Sequence, residues 1–369
     1  MKKTLAALAV LGAFAGTAAA ADVTMYGVVD TGFAYTYEDT NAGPKEDAFA
    51  MQSGYNSGSR FGLRGTEDLG NGLKVGFKLE NGFTSDDGNF KYDNRLFGRE
   101  ASLSLMGDFG TFTFGRFGAL GSSVGPYDLV YGIGDSFDGG DNDILGLQIS
   151  DRYDNMMAYQ TPKFAGVQAT AMYSFKQSNT DEADDGAEGT SKVNRYAGLA
   201  VTGEFGPFQA VAAYELTKYA NTDLHDDTQV VYLGGNYDLQ ALKLFAMVQY
   251  AKAAKNFAGF DGAPATDAVP GSKKGIDSYG LHLGTVVPVA GGDLTVGAYY
   301  ADGNTETLAN SEKYDYTYTG LSARYVYPLS KRTSVYAGAG YAEEKQDAKV
   351  AVDSKTKVGQ AYAGITHTF

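Results

Sequence analysis

Leu73-Lys74-Val75-Gly76-Phe77-Lys78-Leu79-Glu80 puts apolar side chains at its odd positions and charged or absent ones at its even positions. Successive side chains of a strand leave on opposite faces, so this stretch reads as a strand with one oily face and one charged face. The same period of two recurs at Val23–Tyr37, Val167–Lys176 and Leu242–Lys252. A soluble β-sandwich would alternate in the same way. Segment length separates the two cases: strands that cross a bilayer at a tilt need about 9–11 residues, whereas globular strands average about 5–6. The segments here run to the longer figure.

The connections alternate in length. Short turns stand at Glu67–Gly72, Gly107–Gly110, Pro162–Gly166, Phe205–Pro207, Tyr237–Gln240, Pro288–Asp293 and Pro328–Arg332. Between them lie long polar stretches, Glu38–Ser57, Thr84–Asn94, Phe117–Ser150, Gln177–Asn194, Lys218–Thr228, Ala253–Gly275, Asp302–Tyr314 and Ala342–Thr356. Short turns on one side and long loops on the other are the layout of a transmembrane barrel. Seven turns and eight loops join sixteen strands, beginning near Val23, Ser59, Leu73, Phe97, Thr111, Arg152, Val167, Arg195, Phe208, Gln229, Leu242, Asp277, Leu294, Tyr316, Thr333 and Lys357. An even count puts both ends of the barrel on the short-turn side. An unpaired N–H or C=O in hydrocarbon costs several kcal/mol, so the first and last strands have to pair. The fold class is therefore all-β, a 16-stranded antiparallel transmembrane barrel.

Composition agrees. Tyr (27), Phe (21) and Gly (49) are abundant, Pro (8) is scarce and Cys is absent, which excludes a disulfide framework and thiolate metal sites. After the first residues no window approaches the run of 18 apolar residues that a transmembrane helix needs. Lys2 and Lys3, the apolar run Leu5–Phe14 and the small residues Thr17–Ala21 have the form of a secretory signal peptide. Residues 1–20 are expected to be removed, with the barrel domain spanning 21–369. The formal charge of −14, about −16 without Lys2 and Lys3, disfavours nucleic acid as a partner.

Several stretches carry a resemblance. They are Val23–Asp30, Ser59-Arg60-Phe61-Gly62-Leu63-Arg64-Gly65-Thr66-Glu67-Asp68-Leu69-Gly70, Gly107–Thr111 leading to Gly115-Arg116, Tyr159–Pro162, Leu329–Thr333 and the terminal Gly364–Phe369. With these the sequence resembles the trimeric general porins of Gram-negative bacteria, in particular the β-proteobacterial type. The resemblance implies a homotrimer in the outer membrane, in contact with its lipid and lipopolysaccharide. It implies a water-filled lumen for passive diffusion of ions and small hydrophilic solutes, and a third long loop, Phe117–Ser150, folded inward as a constriction. A substrate-specific channel, or an enzyme or adhesin on a barrel scaffold, is the alternative.

The resemblance also implies a basic cluster facing acidic groups on that loop. The matching wall positions are Arg60, Arg99 and Arg152. By alternation Arg60 and Arg64 point away from lipid, being flanked by Phe61 and Leu63, and Arg152 shares its parity with Asp154. Arg99 falls on the face of Leu103 and Leu105, so it needs a bulge or a place before the regular strand. Arg116, beside Phe112 and Phe114, poses the same question. The loop supplies Asp128, Asp135, Asp138, Asp141 and Asp143, with Asp128 and Asp135 as the candidate pore-facing pair. Phe369 is the candidate for closure and assembly. Trimer contacts are expected on the outward faces of the first and last strands, where Gly27 and Thr31 are small, and from the loop Thr84–Asn94.

No catalytic, cofactor or metal-binding constellation is legible. His225, His282 and His367 are dispersed, no nucleophile-elbow motif occurs, and the acidic clusters 181–185 and 223–227 lack calcium-loop spacing.

Overall fold

A computed structural model describes residues 21–41, 43–92, 95–142, 144–179, 186–220, 226–258, 274–307 and 312–369. The expected signal peptide lies outside them, as do Asp143, residues 181–185 and His225. The elements in chain order are β1 (Ala21–Thr40), β2 (Glu46–Ser53), β3 (Arg60–Gly70), β4 (Leu73–Gly82), β5 (Glu100–Gly107), β6 (Gly110–Gly118), the single helical turn α1 (Tyr131–Gly134) and β7 (Arg152–Gln160). Then follow β8 (Val167–Ser174), β9 (Arg195–Phe205), β10 (Phe208–Lys218), β11 (Thr228–Asp238), β12 (Lys243–Ala254), β13 (Ile276–Val289), β14 (Gly292–Thr305), β15 (Tyr314–Pro328), β16 (Thr333–Ala348) and β17 (Ser354–Thr368).

All strand pairs are antiparallel, and β1 pairs with β17 from Val28↔Thr368 to Thr40↔Thr356, which closes the ring. Seventeen segments make sixteen staves. The second stave is interrupted: β3 runs along the start of β1 (Ala21↔Glu67 to Val28↔Arg60) and β2 along its end (Thr31↔Ser53 to Glu38↔Glu46).

Two expected loops are shorter than the sequence reading. The stretch expected as Glu38–Ser57 contains β2, because Phe49 and Met51 alternate outward there, with Phe49 stacked on Phe33 at 5.7 Å. The last loop, expected over Ala342–Thr356, shrinks to a short turn because β16 continues to Ala348 and β17 starts at Ser354. The strands β13 to β17, at 14 to 16 residues, are longer than a bilayer crossing requires.

Polarity is inverted relative to a soluble fold. Leu199, Leu233, Val248, Leu283 and Leu321 face outward and are about half exposed, while their strand neighbours Ala200, Tyr232, Met247, His282 and Ser322 are buried inward. Outward Phe205, Phe208, Tyr237 and Tyr327 lie beside the short turns, and outward Tyr214, Tyr250, Tyr279 and Tyr341 lie towards the other rim. This arrangement is an apolar band between two aromatic girdles.

The buried core lies inside the barrel. Leu120, Tyr127, Val130, Tyr131, Ile144 and Leu147, all from the segment between β6 and β7, pack with inward side chains of the wall such as Tyr196, Tyr232, Met247, Tyr299 and Tyr318. The third long loop thus fills the β9–β15 side of the lumen and leaves the opposite side open.

Candidate functional site

Polar side chains on the inner wall hold the loop at several separate points. Glu215 on β10 accepts from the Gly121 N–H (2.9 Å), the hydroxyls of Tyr196 (2.6 Å) and Tyr232 (2.7 Å), and Ser150 (2.6 Å). Gln249 on β12 pairs with the Gln148 backbone in both directions, at 2.7 and 2.8 Å. Asn236 on β11 donates to the Ile133 carbonyl at 2.8 Å. Asp141 is fully buried and accepts from Ser322 on β15 and from Tyr362 (2.5 Å) and Gln360 (3.2 Å) on β17. A buried carboxylate left unpaired is costly, so each of these bonds fixes where the loop lies.

The open space that remains has a volume of about 1130 Å³. Arg60, Arg64, Lys78 and Arg99 line one side, joined by Arg152 from the start of β7 and Lys91 and Tyr92 from the loop between β4 and β5. Asp128 and Asp138 of the inward loop line it as well, and Arg324 on β15 completes the ring.

The basic wall is a network. Glu80 accepts from Arg99 Nε (2.7 Å) and the Tyr26 hydroxyl (2.7 Å), and lies 3.4 Å from Lys78. Lys78 also pairs with Glu100 at 2.8 Å. Arg60 donates to the Gly58 carbonyl (2.8 Å) and Ser57 (3.2 Å), with Glu80 only at 4.0 Å. Arg64 lies over the Tyr26 ring at 5.1 Å. Behind this layer Arg95 and Arg116 converge on Asp154, at 2.7 and 2.8 Å.

The lining therefore carries a positive excess among the described residues. Seven basic side chains face four carboxylates, Glu80, Asp128, Asp138 and Asp151. In a confined low-dielectric opening that excess sets the local potential, whatever the charge of the whole chain. Across from the wall, the Asp138 carboxyl is paired with that of Asp128. Confinement in the lumen and the neighbouring carboxylate raise the Asp138 carboxyl above its ordinary range, and the first of these also raises Asp128.

Five of the six expected constriction residues, Arg60, Arg64, Arg99, Arg152 and Asp128, line this one space. Arg99 reaches it by standing one residue before β5, outside the regular alternation. Arg116 turns inward at a register shift between Gly115 and Phe117, and meets Asp154 rather than the opening.

The sixth, Asp135, is corrected. It is 2% exposed and turned to the wall, where Tyr299 donates to it at 2.9 Å, His282 Nε2 lies at 3.2 Å, and the N–H groups of Phe137, Gly139 and Gly140 close on it. It fastens the loop rather than charging the pore. His282, on the inner face of β13, is fully buried beneath this contact, and His367 is exposed at the rim beside Thr333.

Sequence reading missed Lys78, Arg324, Lys91 and Tyr92. The first two were marked by parity: Lys78 sits on the charged face of the opening stretch, and Arg324 shares the inward register of Tyr318 and Ser322. The loop residues had no such mark.

Comparison with known proteins gives a consistent result. A family model for Gram-negative porins matches residues 6–347. An outer membrane porin of Bordetella pertussis is 32% identical, with all of both chains covered, and outer membrane porin protein 32 of Delftia acidovorans is 33% identical over all of this chain and 97% of its own length. Among solved structures, the anion-selective porin from Comamonas acidovorans superposes with a TM-score of 0.64 at 28% identity, covering 95% of this chain and all of that one.

Proposed function

This chain belongs to the Gram-negative porin family, and from that premise we propose that its lumen passes small anions in preference to cations. The protein is an outer-membrane channel for passive diffusion, in a family of channels rather than of enzymes. The sign of its selectivity is the finer claim. It is carried by one observation, the excess of basic side chains around the open space left beside the inward loop. The net negative charge of the chain does not oppose it, because outer charges more than about 10 Å away are screened at 0.1 M salt. The Comamonas acidovorans porin, whose chain superposes on this one over its full length, is described as anion-selective.

Arg60 and Arg152 supply fixed positive charge, and Arg99 and Arg64 extend it along the wall. The inward loop narrows the route and brings Asp128 to the far side. The native assembly is a homotrimer, formed after removal of residues 1–20 and embedded in outer-membrane lipid and lipopolysaccharide. Gly27 is not a bare approach surface for that assembly, since the Phe369 ring covers it.

The test is electrical. Replacing Arg60 and Arg152 together by Ala should move the zero-current potential across a salt gradient towards cations, most clearly at low salt. Replacing Asp128 and Asp138 together by Asn should move it the other way. An unchanged potential in the folded double variant removes both arginines from the filter.

A further inference from the structure

We propose that Tyr92 is the positioning residue of the basic wall, holding Arg99 and Arg152 side by side at the opening. The inference rests on the anion-filter reading above and names a residue through which that filter is organised.

Arg99 and Arg152 come from different staves and carry like charge, so something has to keep them together. Arg99 has a carboxylate partner in Glu80 at 2.7 Å. Arg152 has much less: Asp151 lies 3.9 Å away, and its buried Nε finds no acceptor among the described residues. What Arg152 does have is the face of Tyr92, with its guanidinium carbon 4.5 Å from the ring centroid. An aromatic face attracts a cation without cancelling its charge, so the arginine is held yet remains available to the lumen. The same side chain reaches the other arginine, because Arg99 Nη1 donates to the Tyr92 hydroxyl at 3.3 Å.

The backbone is arranged for this placement. Tyr92 takes φ 66°, a region that side chains with a Cβ rarely occupy. Two glycines give it room: a Cβ on Gly82 would stand 2.6 Å from Tyr92 Cε2, and one on Gly98 would stand 2.8 Å from Tyr92 Cβ. An unfavourable backbone conformation at a residue that touches two functional side chains is the pattern expected where position matters.

The phenol also senses its neighbours. Burial acts to raise it, but Arg152, Arg99 and Lys91, whose Nζ is 5.8 Å from the ring, outweigh that and hold it below the ordinary tyrosine range. The nearest carboxylates act at one remove, Glu80 through Arg99 and Asp151 beside Arg152. Ionisation would place a phenolate between the two arginines and cancel part of the wall's charge.

Purified protein in planar bilayers tests this with Tyr92→Phe, which keeps the ring and loses the hydroxyl, and Tyr92→Leu, which loses both. Between about pH 7 and about pH 10 the wild type should lose roughly two-fold more in anion-to-cation permeability ratio than Tyr92→Phe does. The carboxyl pair opposite titrates alike in both and drops out of the comparison. Tyr92→Leu should lower the ratio already at neutral pH. Identical alkaline profiles for wild type and Tyr92→Phe, or a wild-type ratio in folded Tyr92→Leu, would overturn the proposal. The Arg60/Arg152 double variant separates the two readings: if it also leaves selectivity unchanged, the filter itself is misplaced, and if it shifts selectivity while the Tyr92 variants do not, only the role of Tyr92 fails.

Discussion

Four carboxylates of the inward loop show how far one residue type can diverge. Asp135 and Asp141 are buried and saturated with donors, so they act as fastenings. Asp128 and Asp138 face the lumen side by side, and each carboxyl is raised there. Asp138 is exposed to the lumen. The direction of the shift fixes the sign of its effects. A carboxyl raised in the folded state favours folding most fully below the ordinary carboxylate range, and that contribution is lost as pH rises through the raised value. Over the same window the loop gains a negative charge opposite the basic wall. Raising the pH should therefore move the zero-current potential towards cations in a step that Asp138→Asn abolishes. A step of the same size in the folded variant would assign the titration elsewhere.

At the scale of elements, most of the barrel was legible in the sequence. All sixteen expected starts fall within three residues of an observed strand start, because a half-buried strand writes its period of two directly into the chain. What stayed hidden is equally physical. β2 was passed over as loop because its alternation, around Phe49 and Met51, is short and follows a polar stretch. The inward loop has no period at all, so nothing in its order of residues shows that Asp135 turns to the wall while Asp128 turns to the pore. Its path is set by wall residues a hundred positions away, and these make a prediction of their own. Glu215→Ala strips four donors of one acceptor, and leaving such buried groups unpaired costs on the order of 3 kcal/mol. The barrel should still close, since no ladder bond is lost. The loop should loosen, giving a larger and noisier single-channel conductance and a lower thermal transition. Wild-type conductance and noise in the folded variant would mean that the remaining contacts hold the loop by themselves.

For the whole molecule the governing constraint is the bilayer, which turns the outer wall apolar and forbids an open edge. The seam between β1 and β17 is where the chain has to satisfy that constraint last, because its two strands are farthest apart in sequence. The ladder there runs from Thr40↔Thr356 down to Val28↔Thr368. Phe369 extends it by one more exchange, in which the Gly27 N–H donates to the Phe369 carbonyl and the Phe369 N–H to the Gly27 carbonyl, both at 3.1 Å. Its ring then lies over Gly27, where a Cβ would come within 2.3 Å of Cζ, and stays about half exposed on the outer face among the girdle aromatics. Deleting Phe369 would remove that exchange, uncover Gly27 and bring the terminal carboxylate closer to the apolar band. All three effects fall on the last step of closure, so the loss should appear in assembly more than in the conductance of barrels that do form. The deletion variant should yield less heat-modifiable barrel in the outer membrane, Phe369→Tyr should restore most of it because an aromatic ring and both hydrogen bonds are kept, and the channels recovered from either should match the wild type in selectivity. A normal yield from the deletion would place closure entirely in the β1–β17 ladder above it.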